Sequence, residues 1–253
     1  MENIKDYDVY TAGMRKSLRD KLFFEGLIDD SVNKIVDFGC ADGQLLAQVH
    51  TDFPEWQLIG VDNNEKMLDL AQERCPDAEF YTNLAYVGNC EGSILNLSSV
   101  IHEVYSYSSE EEIANFWKQV FKKGWKYISI RDMIMKQDVS WRDVDYNDYI
   151  SVTRKADEKQ LKEFTRQWGS VLRQKNMLHY LLKYRYTQNW SREVKENYFP
   201  ISLEQLLQKI PSTYEIVYFN HYILPFTKLK VRADFGIEIR DNTNVKILLR
   251  RRE

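Results

Sequence analysis

An α/β fold with a mostly parallel sheet and helices on both faces is predicted by three stretches of the chain. Residues 34–38, KIVDF, are apolar around one acid and read as a buried parallel strand. Gly39-Cys40-Ala41-Asp42-Gly43 follows as a turn of small residues, and residues 44–49 then take up helical spacing. Leu58-Ile59-Gly60-Val61-Asp62 is a second buried strand, ending in an acid 23 positions after Gly39. Strand, glycine turn and helix open a nucleotide-binding βα unit, whose glycines let the backbone approach a ligand closely. An acid at that spacing can accept both hydroxyls of a ribose.

These residues carry a resemblance. Residues 35–133 resemble the class I S-adenosylmethionine-dependent methyltransferases. The first motif of that family, acid-x-Gly-x-Gly-x-Gly, is matched by Asp37-x-Gly39-x-Ala41-x-Gly43, with Ala41 replacing the middle glycine. A dehydrogenase reading with NAD is disfavoured, because the turn lacks the following G-x-x-G spacing. The resemblance implies a Rossmann-like sheet of seven strands and S-adenosyl-L-methionine as cofactor. It implies cofactor contacts from Asp37, Gly39, Cys40, Ala41, Gly43, Asp62 and Asn63. Met67 is expected against the adenine, with core packing as the alternative. Asn83 is expected on the adenine amine, and Ser98 at the cleft end of the fourth strand. A helical lid over residues 7–24 is also implied, with Tyr10, Met14 and Lys16 toward the cofactor's methionine end.

The whole chain narrows the setting. Its 253 residues are 43% hydrophobic, enough for one large domain or one domain with an insertion. No apolar run approaches the ~20 residues of a membrane span, and the N-terminus carries no signal-peptide pattern. Cys40, Cys75 and Cys90 have no metal-ligand spacing, which fits a reducing cytoplasm and predicts no metal site. The net charge of −3 is unevenly spread: residues 151–253 hold 20 basic and 11 acidic side chains, a net of +9. Two readings stay open for that half: an anionic partner, or solvated helix faces.

In chain order, strands are expected at 35–38, 57–61, 78–81, 93–100 and 127–130, with helices at 42–49, 65–73 and 110–122. Residues 1–136 are then the cofactor-binding core with its lid. Residues 137–200 read as a helical insertion after strand 5, with helices at 159–173, 177–186 and 190–198. Residues 201–253 complete the sheet with two strands, one antiparallel as the resemblance implies. Ser202-Leu203-Glu204-Gln205 reads as a capping box opening a helix. Residues 225–241 are longer than a hairpin connection needs and are expected to reach over the site.

Polar, titratable and aromatic groups gather after strand 4, in Ile101-His102-Glu103-Val104-Tyr105. Methyl transfer from a sulfonium needs in-line positioning first, and a base only where the acceptor must lose a proton. His102 is the candidate base, Glu103 its orienting or acceptor-binding acid, and Tyr105 a hydrogen-bonding partner. Arg131, at the cleft end of strand 5, and Tyr184 and Arg185 of the insertion are candidate acceptor-binding residues. Lys183 and Arg185 stand two apart in a predicted helix, so one should face the cleft and the other solvent. Arg185 is expected at the cleft, because its planar fork clamps a carboxylate or phosphate. The expected acceptor is a small anionic molecule, since the core also resembles small-molecule methyltransferases of the trans-aconitate type. An RNA acceptor on the basic half, and an inactive binding module, are the alternatives.

Overall fold

The computed structural model describes residues 18–252. Among them, seven strands form one sheet: β1 (Lys34–Phe38), β2 (Gln57–Val61), β3 (Glu79–Tyr81), β4 (Ser93–Ser98), β5 (Tyr127–Met133), β6 (Tyr214–Tyr222) and β7 (Asn244–Arg251). Their order is β3-β2-β1-β4-β5-β7-β6. The pairs from β3 to β5 are parallel, and β7 runs antiparallel to both β5 and β6. This is the expected mostly parallel sheet with one reversed strand near its end. The strand order reverses beside β1, between β2 and β4. In open sheets of this kind ligands bind outside the carboxyl ends of the strands at that point.

The helices are α1 (Gln44–Asp52), α2 (Glu65–Arg74), α3 (Ile101–Tyr107), α4 (Glu110–Lys122), α5 (Tyr146–Lys155), α6 (Glu158–Trp168), α7 (Gln174–Lys183), α8 (Trp190–Glu193), α9 (Leu203–Lys209) and α10 (Pro225–Phe235). Successive strand residues face opposite sides, so the apolar runs feed two cores at once. Val36, Leu95 and Ile128 pack with Phe116, Trp117 and Val120 of α4 and with Leu206 of α9. Ile35, Leu58 and Ile94 pack with Leu45, Leu46 and Val49 of α1 on the other side. Both α4 and α9 open with capping boxes, at Ser109–Glu112 and Ser202–Gln205.

A third core departs most from the sequence reading. Val152 of α5, Phe164 of α6, Leu178 and Tyr180 of α7, and Phe199 close on Val231 and Phe235 of α10. Residues 225–235, expected as part of a long connection, are thus a helix, with Pro225 at its first turn and Gly236 at φ +75° after its last. The helix expected over 159–173 stops at Trp168, where Gly169 takes φ +89°. That expected over 177–186 stops at Lys183, and only α8 forms within 190–198. β4 stops at Ser98 rather than Val100, because Ser99 turns the chain with φ +59°. Residues 18–21 are helical and 22–24 turn; residues 7–17 of the expected lid, with Tyr10, Met14 and Lys16, lie outside the described residues.

Gly60 shows how tightly the sheet is covered. A Cβ there would lie 2.5 Å from the Phe80 ring and 2.8 Å from Cys40 Sγ. Gly60→Ala should therefore cost about 1–3 kcal/mol by overpacking. Thermal or urea denaturation of the variant against the parent measures it, and an unchanged midpoint would show that Phe80 moves aside freely.

Candidate active site

The turn after β1 is built for close approach. Gly39 and Gly43 take φ of +79° and +75°, and Ala41 between them takes φ +45°. A left-handed conformation is costly for alanine, so the replaced glycine leaves strain at this position. The turn is tied across the sheet end by Asp62. Its Oδ2 accepts the Ala41 N–H at 2.9 Å, and its Oδ1 accepts the Asn64 N–H at 2.9 Å. A carboxylate has about four acceptor sites, so each oxygen keeps a second lone pair. Burial raises the Asp62 pKa, against the two backbone N–H groups that favour its charge. Asp37 lies beneath the turn, fully enclosed, with Asn96 Nδ2 donating to it at 2.8 Å. Burial pushes its pKa up to about 6. Asp42, pointing away, pairs with Arg74 of α2 at 2.6 Å and pins helix to turn.

At the ends of β4 and β5 a second cluster forms. Asp132 of β5 is wholly buried and accepts from four groups. Its Oδ2 accepts the Ile101 N–H at 2.7 Å and the His102 N–H at 3.4 Å, and so caps α3 from the neighbouring strand. Its Oδ1 accepts the Met133 N–H at 2.7 Å and lies 2.8 Å from His102 Nδ1. The other ring nitrogen, Nε2, lies 3.8 Å from Glu196 Oε2. Because the strand has ended, His102 and Glu103 sit on a helix, and both take part in one network. Glu103 pairs with Arg192 at 2.9 Å; Arg192 also reaches Glu196 Oε1 at 2.7 Å, and Tyr107 donates to that oxygen at 3.0 Å.

Glu196 and Arg192 come from the segment after α7, and Lys183 holds that segment in place. Its side chain is completely buried, donates to the carbonyls of Glu193 and Glu196 at 2.6 and 2.7 Å, and lies 4.2 Å from the centre of the Tyr198 ring. Burial lowers its pKa to about 7. Arg185 is exposed, with its guanidinium 5.2 Å from the Phe226 ring. The orientation expected of the pair is reversed: Lys183 faces inward and Arg185 outward, because α7 ends at Lys183.

Other expected residues lie elsewhere. Arg131 is buried and donates to Asp20 at 2.7 Å and Ser99 at 2.8 Å, which ties residues 18–21 to the sheet. Tyr184 donates to Asp234 at 2.5 Å and packs on Phe235, against the edge of the third core. Tyr105 accepts from Trp117 Nε1 at 3.0 Å, on the α4 side, and Tyr107 joins the cluster in its place. Asn83 is exposed and caps the turn at residues 84–86 by accepting the Ala85 N–H at 2.8 Å. Cys40 is buried, Asn63 exposed, and Met67 half-buried. Ser98 Oγ is buried at the cleft end of β4 with no hydrogen-bond partner among the described residues. The polar groove of about 740 Å³ lined by Ser31, Lys34, Gln57 and Lys126 is at the opposite, amino-end edge, away from this chemistry. The sequence reading missed Arg192 and Glu196. Their four-residue spacing was the available signal, since such pairs meet on a helical turn.

Residues 35–123 match the family model described as "Methyltransferase domain". Known structures of similar shape include a plantazolicin methyltransferase solved with a triazolic desmethylPZN analog and SAH, at TM-score 0.52 and 12% identity over 98% of this chain and 88% of that one. A SAM-dependent methyltransferase from Archaeoglobus fulgidus gives TM-score 0.53 and 13% identity, covering 97% and 100%. The fold is that of the class I methyltransferases. In sequence, the class I core is similar over short stretches to two curated proteins. Trans-aconitate 2-methyltransferase from Yersinia pestis is 41% identical over 46 residues, 18% of each chain. Carboxy-S-adenosyl-L-methionine synthase from Campylobacter hominis is 42% identical over 41 residues, 16% of this chain and 18% of that one. The matched stretches thus span under a fifth of those relatives' length. Among the described residues of this class I fold, no helix is long and apolar enough to cross a membrane.

Burial opposes a charge on His102, but Asp132, Glu103 and Glu196 outweigh it and lift its pKa to about 9. A folded pKa above the ordinary 6.5 stabilises the protein fully below that ordinary value, and the contribution is lost as pH rises through about 9. Urea unfolding from pH 6 to 10 should show this loss, and His102→Gln should flatten it. Asp132→Asn should cost about 3 kcal/mol or more, because it removes one partner of a buried pair. A parent whose stability stays level from pH 7 to 10 would mean His102 is neutral.

Proposed function

We propose that the chain is an S-adenosyl-L-methionine-dependent methyltransferase acting on a small anionic acceptor. The observation that carries the cofactor assignment is Asp62: a half-buried carboxylate at the tip of β2, locked to the glycine turn, with a lone pair on each oxygen left for adjacent ribose hydroxyls. The residues fit the group. Gly39, Ala41 and Gly43 give backbone approach, Asp37 and Cys40 floor the turn, Asn63 and Met67 flank the ribose and adenine side, and Ser98 offers an unsatisfied hydroxyl. When bound, the cofactor supplies a methyl group on a good leaving group.

What the chain then does is position the acceptor. His102 is only 5% exposed, with Asp132 on one nitrogen and Glu196 facing the other. A ring held this way orients α3 and the insertion rather than abstracting a proton. The acceptor that suits such a site arrives with its lone pair free, as a carboxylate does. The family's trans-aconitate-type similarity agrees with that choice. Residues 137–200 are assigned to cover the acceptor.

Asp62→Ala should lower cofactor affinity by about 2 kcal/mol or more, because a charge-assisted hydrogen bond is lost. Calorimetry with S-adenosylhomocysteine measures it, and equal affinity in the variant removes Asp62 from the role. Transfer of labelled methyl to total RNA, with none to a metabolite extract, would replace the small acceptor by RNA.

A further inference from the structure

We infer that Arg192 is the residue that recognises the acceptor, by holding a carboxylate of a small organic acid in the position that Glu103 now occupies. The inference rests on the cofactor reading above and adds the residue and the ligand chemistry to it.

Arg192 is supplied by the insertion yet stands over the core. Its Nε donates to Glu196 at 2.7 Å and its Nη2 to Glu103 at 2.9 Å, so one guanidinium edge already holds two carboxylates. The two are unlike. Glu196 is 3% exposed and is also held by Tyr107 and the His102 ring. Glu103 is 36% exposed, and among the described residues its carboxylate pairs with Arg192. Glu196 is therefore the enclosed partner that aims the guanidinium, whereas Glu103, whose carboxylate oxygen lies within 4.8 Å of a His102 ring nitrogen and a Glu196 carboxylate oxygen, is the more exposed of the two acids. A ligand carboxylate that takes its place leaves the charge on Arg192 balanced, so the exchange avoids adding an anion to an acid-rich cleft. Arg suits this task, since its planar fork grips a carboxylate with directed bonds where Lys offers a point charge.

Position agrees with the role. Burial raises the Glu103 pKa and Arg192 opposes that rise. Arg192 also favours the charged form of Asp62, so its field reaches from the ribose acid to the end of β4.

The opposed effects of two substitutions test this. Calorimetry is run on the full chain saturated with S-adenosylhomocysteine, with acetate, glutarate, tricarballylate, citrate and trans-aconitate as probes. At least one probe should bind the parent. Arg192→Lys should weaken it at least tenfold, and Glu103→Gln should strengthen it several-fold, because the internal competitor has lost its charge. Affinity for S-adenosylhomocysteine should stay within twofold in both. No probe binding to the parent complex, or Arg192→Lys binding as the parent does, overturns the inference. So does a loss of binding in both variants, which would mark the network as structural only. If the parent does not bind S-adenosylhomocysteine at all, the cofactor reading falls and this one with it.

Discussion

The buried carboxylate of Asp132 is the contact on which the rest of the cleft depends. It satisfies the backbone N–H groups at the start of α3, where the preceding residue Val100 gives no side-chain cap. It also fixes the His102 ring, and through the ring the face presented to Glu196. An acid so enclosed is tolerable only because each lone-pair direction is used, and its pKa is lowered, burial being outweighed by His102 and the backbone donors. One side chain on the fifth strand therefore sets the end of the fourth, the first turn of a helix, and the seat of the insertion.

The insertion is attached by charge at the cleft and by apolar packing away from it. Lys183 gathers the carbonyls of Glu193 and Glu196, which bends the chain after α8 and brings Glu196 to the core. Tyr198, donating to Glu193, closes the same turn. Carbonyl oxygens in a buried turn need donors, and an ammonium with three of them serves two at once. The same burial depresses the Lys183 pKa, so this seat is held by a cation that gives up its proton more easily than a surface lysine.

The sheet was legible in the sequence because parallel strands buried on both faces read as unbroken apolar runs, as in residues 34–38 and 57–61. The glycine turn and Asp62 were legible because their spacing is local to one βα unit. The clustering of Glu196 with His102 was not, since 94 positions separate them and nothing between marks the meeting. The reversal of Lys183 and Arg185 came from a helix end placed three residues too far. Helix α10 carried its own start and stop, Pro225 and Gly236, but sat where two strands made a connection the expected element. Ala41 was legible as the replacement of the motif's middle glycine, but the strain of that replacement shows only in its φ of +45°.

The place of β7 in the sheet has a consequence for how the chain is made. β7 lies between β5 and β6, so β6 has no neighbour in this sheet until residues 244–251 have left the ribosome. The third core waits as well, since α10 closes it and precedes β7 by only a few residues. A nascent chain can therefore assemble β1 to β5 while the insertion and β6 remain open, and domains growing from the N-terminus expose apolar surface and unpaired strand edges during that interval. Any stop codon ahead of residue 244 leaves β5 and β6 without the strand that joins them, however complete the glycine turn and the cluster around Asp132.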